Sequence, residues 1–99
     1  MGKLLLRTVP ALVLVAACAT TSARTREMEA RLANAQTDVE RGQIYYEGSC
    51  QRCHALYMPS SYSPSEWKYY VRKYGRRARL NEAQRDVVYA YLATEAARG

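Results

Sequence analysis

From residue 37 onward, apolar side chains recur at helical spacing in three separate segments. The first segment predicts a helix capped by Thr37 or Asp38 and ended by Gly48. Gly42 lies near the middle of this helix, where glycine lowers stability by about 0.5–1 kcal/mol relative to alanine. Close packing against another helix is one reason for a glycine at this position. The apolar set of this helix is short: Val39, Ile44 and Tyr45.

Two further helices are predicted after a loop that is rich in serine and tyrosine. Ser63 is the expected N-cap of the first, with Pro64 at the first helical position and Glu66 completing a capping box. Gly75 is placed to stop that helix, and Asn81 to cap the next. No strand pattern is visible, so the sequence predicts an all-α domain of three main helices. The expected buried stripes are Trp67, Tyr70, Val71 and Tyr74 in one helix, and Val87, Val88, Tyr91 and Leu92 in the other.

The beginning of the chain has the layout of an export signal. Lys3 and Arg7 precede a short apolar run over residues 8–17, which is shorter than the roughly 20 residues that a membrane span needs. The run ends in "VAAC", which resembles the lipobox of bacterial lipoprotein signal peptides. This resemblance implies that the segment before Cys18 is removed and that Cys18 carries lipid, which would anchor the domain to a membrane. An ordinary signal peptide cut after Ala19 is the alternative.

The predicted organisation is a signal peptide over residues 1–17, a lipidated and flexible or helical tether over 18–36, and a folded domain over 37–99. Either signal type implies an extracytoplasmic, oxidising compartment, which the lipobox resemblance identifies as the periplasmic side of a bacterial membrane. If the sorting rule of enterobacterial lipoproteins applies, Ala19 rather than Asp after Cys18 favours the outer membrane. Without the signal peptide the net charge falls from +6 to +4, which is too mild to predict a nucleic-acid partner.

Cys50, Cys53 and His54 form a Cys-x-x-Cys-His motif, the pattern of covalent haem attachment. Two thiols at this spacing match the two vinyl groups of haem, and the adjacent imidazole is placed to bind the iron as the proximal ligand. A disulfide or redox dithiol would not use His54. A zinc site would need a fourth ligand and is rare with a single His and no second Cys pair. The motif therefore predicts one haem c, bound through Cys50 and Cys53.

The stretch DVERGQIYYEGSCQRCHALY resembles the start of class I cytochrome c domains, and NEAQRDVVYAYLATEA resembles their C-terminal helix. Gly42 and Tyr45 match the positions where these two helices cross. The resemblance covers about residues 37–97, and it implies the small all-α cytochrome c fold around a covalent haem. It implies one-electron transfer rather than catalysis as the function, and a redox protein as the partner. It also implies that the carbonyl of Pro59 or Pro64 orients the axial imidazole.

The resemblance fails at the second axial position of the iron. Class I cytochromes place a Met there from well downstream of the motif, whereas no Met follows Met58 in this chain. Met58 lies only four residues after His54, so we expect it to be a packing residue and rank it last among the candidate ligands. The family's methionine position falls on or beside Tyr74, which could bind iron as a tyrosinate. Lys73 could bind if deprotonated, and a distal site without a protein ligand is the third possibility.

Two functions therefore stay open at the level of the sequence. One is a membrane-tethered electron carrier, and the other is a haem-based ligand-binding or sensor module with an open distal site. A peroxidase-type enzyme has little support, because no second His or evident acid–base residue is available. Six basic residues lie close together in the sequence: Lys68, Arg72, Lys73, Arg76, Arg77 and Arg79. This basic cluster has three possible roles: a solvated face, a docking site for an acidic redox partner, or a contact with anionic lipid.

Overall fold

The computed structural model describes residues 23–50 and 56–99, in which all regular structure is helical. This confirms the all-α class. The chain divides into two compact units, Met1–Ala30 and Arg31–Gly99, and the second contains the whole predicted domain. The predicted signal peptide and three predicted site residues lie outside the described residues: Cys18, Cys53 and His54.

Four helices follow one another along the described chain. Helix α1 covers residues 23–34, α2 Asp38–Ser49, α3 Pro64–Arg77 and α4 Glu82–Arg98, with a short 3₁₀ turn at Pro59–Ser61 before α3. Most side chains of α1 are exposed, as expected for a solvated helix. Across residues 23–50 and 56–99, no helix combines the length and the apolarity needed to cross a bilayer.

Each of the three predicted helix starts is confirmed by its cap. The Thr37 hydroxyl accepts a hydrogen bond from the Glu40 N–H at 3.1 Å. The other two starts are full capping boxes, in which the cap side chain and the third helical side chain each bind the other's backbone N–H. A cap of this kind contributes about 1 kcal/mol, so these starts are set by local sequence alone. The capping boxes pair Ser63 with Glu66 and Asn81 with Gln84.

Helices α2 and α4 pack closely at Gly42, which is buried. A Cβ at this position would overlap the Val87 carbonyl oxygen and lie 2.8 Å from the Cβ of Tyr91. Only glycine fits there without a shift of one helix, so the expected close packing at Gly42 is confirmed. Gly48 was expected to end α2, but it lies one residue inside the helix.

The core lies among α2, α3 and α4. In α2 the expected Tyr45 is only partly buried, and Tyr46 is buried instead. The reason is the helical phase: Tyr46 lies four residues after Gly42 and therefore on the same face, which packs against α4. The buried hydrophobic residues are Ile44, Tyr46, Trp67, Val71, Leu80, Val88 and Leu92.

Helix α3 continues past Gly75, its expected stop, and ends at Arg77. The chain turns through Arg79, whose φ is 62°, and the Leu80 N–H donates to the Gly75 carbonyl at 2.9 Å. This is the hydrogen-bond pattern of a Schellman turn, with an arginine where glycine is favoured. Gly75 serves packing instead of termination, because a Cβ there would lie 2.8 Å from the Cγ of Arg85.

Candidate functional site

A cavity of about 300 Å³ adjoins the helical core and is partly open to solvent, because its wall includes the exposed residues Tyr57 and Tyr74. Its described lining is aromatic and aliphatic apart from one thiol, and no charged side chain belongs to it. Close-packed interiors leave few voids larger than a water molecule, whereas pockets for small molecules and cofactors begin at about this size. The cavity is therefore the strongest candidate site in the described chain. It is lined by Tyr46, Cys50, Tyr57, Tyr62, Trp67, Tyr70, Val71, Tyr74, Gly75, Leu80, Val88 and Leu92.

Cys50, the first residue of the predicted haem motif, lines this cavity. It is the C-cap of α2, and its backbone N–H donates to the Tyr46 carbonyl. The end of α2 thus carries Cys50 to the cavity wall. Cys53 and His54 follow within four residues, outside the described part of the chain, so the described residues place one of the three motif positions.

Two hydrogen bonds hold the chain that follows the motif against the helices. The Tyr46 hydroxyl donates to the Tyr57 carbonyl at 2.6 Å, and the Trp67 indole N–H donates to the Pro59 carbonyl at 2.7 Å. Pro59 was one of two residues expected to orient an axial imidazole, and its carbonyl is here an acceptor for Trp67. Pro64, the other, is the first residue of α3.

Burial changes the acid–base behaviour of the tyrosine at the centre of this arrangement. Removal from water, with a smaller contribution from the negative charge of a Cys50 thiolate, raises the pKa of Tyr46 to about 12. Tyr46 therefore stays a neutral hydrogen-bond donor at every physiological pH, which keeps its contact with the chain after the motif.

The aromatic side chains around the cavity form a connected cluster. Tyr62 lies at its middle, with ring centroids 4.7 Å from Tyr70 and 5.1 Å from Trp67. Tyr46 packs edge-on against Trp67 at 6.0 Å and also contacts Tyr91 of α4. Such pairs contribute about 0.5–1.5 kcal/mol beyond their buried area, so the cluster gives the cavity a firm wall.

The three candidates for the second axial ligand occupy different environments. Tyr74 lines the cavity and stacks on Tyr70 with centroids 6.1 Å apart. Lys73 lies on the outside, with its Nζ 5.4 Å from the Tyr74 ring centroid, and Arg77 lies equally close to the same ring. Met58 is 71 % exposed, so the packing role expected for it is not seen. Of these candidates, Tyr74 alone shares the cavity with Cys50.

Sequence reasoning missed part of the cavity wall. Tyr57 and Tyr62 lie in the loop before α3, where no periodic pattern marks a buried face. The one available signal was composition, because nine Tyr and no Phe in 99 residues is unusual. Tyrosine suits this loop since its ring can pack inward while its hydroxyl reaches a polar partner or water.

The lining fits the group that the motif implies. A porphyrin is a large, flat, mostly apolar ring, and it needs apolar and aromatic walls together with a thiol within reach, which the cavity and Cys50 offer. Comparison of the chain with protein-family models, with curated proteins and with solved structures finds no match.

Proposed function

We propose that this chain is a membrane-tethered monohaem c-type cytochrome that carries single electrons between redox partners. In this proposal Cys50 and Cys53 hold the haem covalently, and His54 is the proximal ligand. The observation that carries it is the position of Cys50, which opens a Cys-x-x-Cys-His motif and lines an apolar cavity inside a small helical domain. A bound haem supplies a reversible one-electron couple at its iron.

The domain's own residues suit electron transfer better than catalysis. The described cavity wall has no carboxylate, imidazole or amine side chain that could exchange protons with a substrate. Largely apolar walls would limit the contact of a bound group with water, which lowers the solvent reorganisation that accompanies a change of charge. The two hydrogen bonds from Tyr46 and Trp67 fix the chain after the motif, so a group attached to the motif would be held in one orientation.

The covalent attachment also explains how so small a domain can keep a cofactor. Below about 70–80 residues, a hydrophobic core alone rarely stabilises a fold, and a staple or a buried group is needed. The compact unit Arg31–Gly99 is within this range, and its described core contains few fully buried side chains, of which the largest are Val88 and Leu92. A large apolar group in the cavity would complete that core.

A second candidate function is a haem-based ligand-binding or sensor module. The absence of any Met after Met58 favours it, because class I cytochromes take their distal ligand from a Met well downstream of the haem motif. The role of Tyr74 distinguishes the two candidate functions. As an iron ligand it would support a six-coordinate electron carrier of low potential, and as a wall residue it would leave the distal side to a small molecule.

The optical spectrum of the purified holoprotein, ferric and ferrous, with and without CO, separates these candidates. Electron transfer predicts a low-spin ferrous spectrum that CO does not change. A change of the ferric spectrum in Tyr74→Phe, but not in Tyr62→Phe, would identify Tyr74 as the ligand. Tyr62→Phe is the matched control, since it removes the same hydroxyl from the same cavity. A high-spin ferrous spectrum that shifts at once with CO would favour the ligand-binding module.

A further inference from the structure

The face of α3 that points away from the core carries a tyrosine surrounded by cations. Its four residues follow the i, i+3, i+4, i+7 spacing of one helix face, and all four are exposed. The opposite face of the same helix buries Trp67 and Val71 against the core. We call this surface the outer face of α3, and it consists of Tyr69, Arg72, Lys73 and Arg76.

The positive charge of this region is not neutralised within the described part of the protein. From Trp67 to Asn81 the sequence contains six Lys or Arg residues and no Asp or Glu. The ion pairs among the described residues lie elsewhere and join Arg31 to Glu47, Arg41 to Asp38 and Arg98 to Glu95. The cations of the outer face therefore remain available to an external anion.

The aromatic residue lies among the charges rather than apart from them. The Tyr69 side chain is 59 % exposed, and the Nζ of Lys73 lies 5.8 Å from its ring centroid. Tyrosine rings are enriched at the headgroup level of membranes, and helices that lie in the membrane surface combine such rings with Lys and Arg. The centre of a protein-binding surface is normally depleted of lysine, whereas Lys73 lies beside the exposed ring of this face.

We propose that the outer face of α3 binds the surface of an anionic lipid bilayer. Its Arg and Lys side chains contact lipid phosphates, and the Tyr69 ring enters the headgroup layer. This peripheral contact is separate from the predicted lipid on Cys18 and from the proposed haem function, because it uses only the exposed side of α3. Membrane contact through this face places α3 between the bilayer and the cavity and thus sets the orientation of the domain.

Vesicle flotation of the full exported chain tests the proposal. The chain is produced from residue 19 behind an ordinary cleavable signal peptide, so that neither an acyl chain nor the apolar run over residues 8–17 contributes to binding. We expect the protein to float with vesicles of equimolar phosphatidylglycerol and phosphatidylcholine, to stay behind with pure phosphatidylcholine, and to be released as salt is raised. Each Lys or Arg near an anionic surface raises the partition coefficient about fivefold. The double variant Arg72→Gln with Arg76→Gln should therefore lower this coefficient roughly 25-fold.

The matched control is Arg24→Gln with Arg26→Gln, which removes the same charge from exposed positions of α1. We expect this control to keep the partition coefficient within about twofold, and Tyr69→Ser to lower it. Equal flotation with both vesicle types, or equal losses in the two charge variants, would overturn the proposal. Binding to soluble polyglutamate without flotation would also overturn it and would assign the face to an acidic protein. Far-ultraviolet circular dichroism checks that every variant is folded.

Discussion

The contact between α2 and α4 at Gly42 leads to a quantitative prediction for Gly42→Ala. The new methyl group would overlap the Val87 carbonyl and approach the Cβ of Tyr91 at 2.8 Å, so the two helices must separate. Overpacking of this kind costs about 1–3 kcal/mol, because backbone atoms cannot move away as a flexible side chain can. Alanine offsets about 0.5–1 kcal/mol of that cost through its better helix propensity.

The expected net loss in the free energy of unfolding is therefore up to about 2.5 kcal/mol, with a midpoint of about 1.3 kcal/mol. For a domain of this size the midpoint corresponds to a fall of roughly 5–10 °C in Tm. The measurement is thermal and urea unfolding followed by far-ultraviolet circular dichroism. The urea m-value should stay unchanged if only the native state is affected.

Gly48→Ala is the matched control, because Gly48 is an exposed glycine in the same helix. It should raise stability by about 0.5–1 kcal/mol. Gly75→Ala tests the intermediate case, since the nearest atoms there are the Cγ and Cδ of the Arg85 side chain, which can move. If Gly42→Ala proved as stabilising as Gly48→Ala, the close crossing of α2 and α4 would be refuted.

Three further predictions concern a turn, a cap and a buried hydroxyl. Arg79→Gly should raise the free energy of unfolding by about 1 kcal/mol, because φ of 62° strains any residue with a Cβ; an unchanged urea midpoint would contradict this. Ser63→Ala should lower it by about 1 kcal/mol through loss of the capping box, and Ser63→Asp should restore most of that loss. The pKa of Tyr46 is about 12 in the folded protein against 10 in the unfolded chain, so the native state keeps a proton that the unfolded state releases. The contribution of Tyr46 to the free energy of unfolding is therefore fully present below pH 10 and is lost as the pH rises towards 12. Urea unfolding across this range should show a smaller fall in stability for Tyr46→Phe than for the wild-type protein.

The helix starts were predictable from sequence because they depend on residues three positions apart. Ser63 with Glu66 and Asn81 with Gln84 satisfy their own backbone groups, and no distant part of the chain alters that. The end of α3 was not predictable in this way. Gly75 is the residue type that commonly ends a helix, but here its missing side chain makes room for Arg85. That requirement comes from tertiary packing and is not visible in the local sequence.

The identity of the buried tyrosine in α2 shows the same limit. Tyr45 and Tyr46 are chemically identical, and the choice between them depends on the face that α4 covers. The short apolar set of α2 left that phase undetermined. At the candidate site, the Cys-x-x-Cys-His motif that begins at Cys50 is visible in the sequence because it consists of five consecutive residues. The cavity beside it was not, since it is formed by loop and helix residues that are brought together by folding.

Covalent attachment of haem to the motif is the central claim, and its most direct measurement is haem retention after denaturation. The full chain is expressed in a bacterial host that matures c-type cytochromes, denatured, separated by electrophoresis and stained for haem. The proposal predicts that haem remains on the wild-type chain and on Cys18→Ser, and that it is lost when Cys50 and Cys53 are both changed to Ser. A wild-type chain that carries no haem, or that releases it on denaturation, would contradict the proposal.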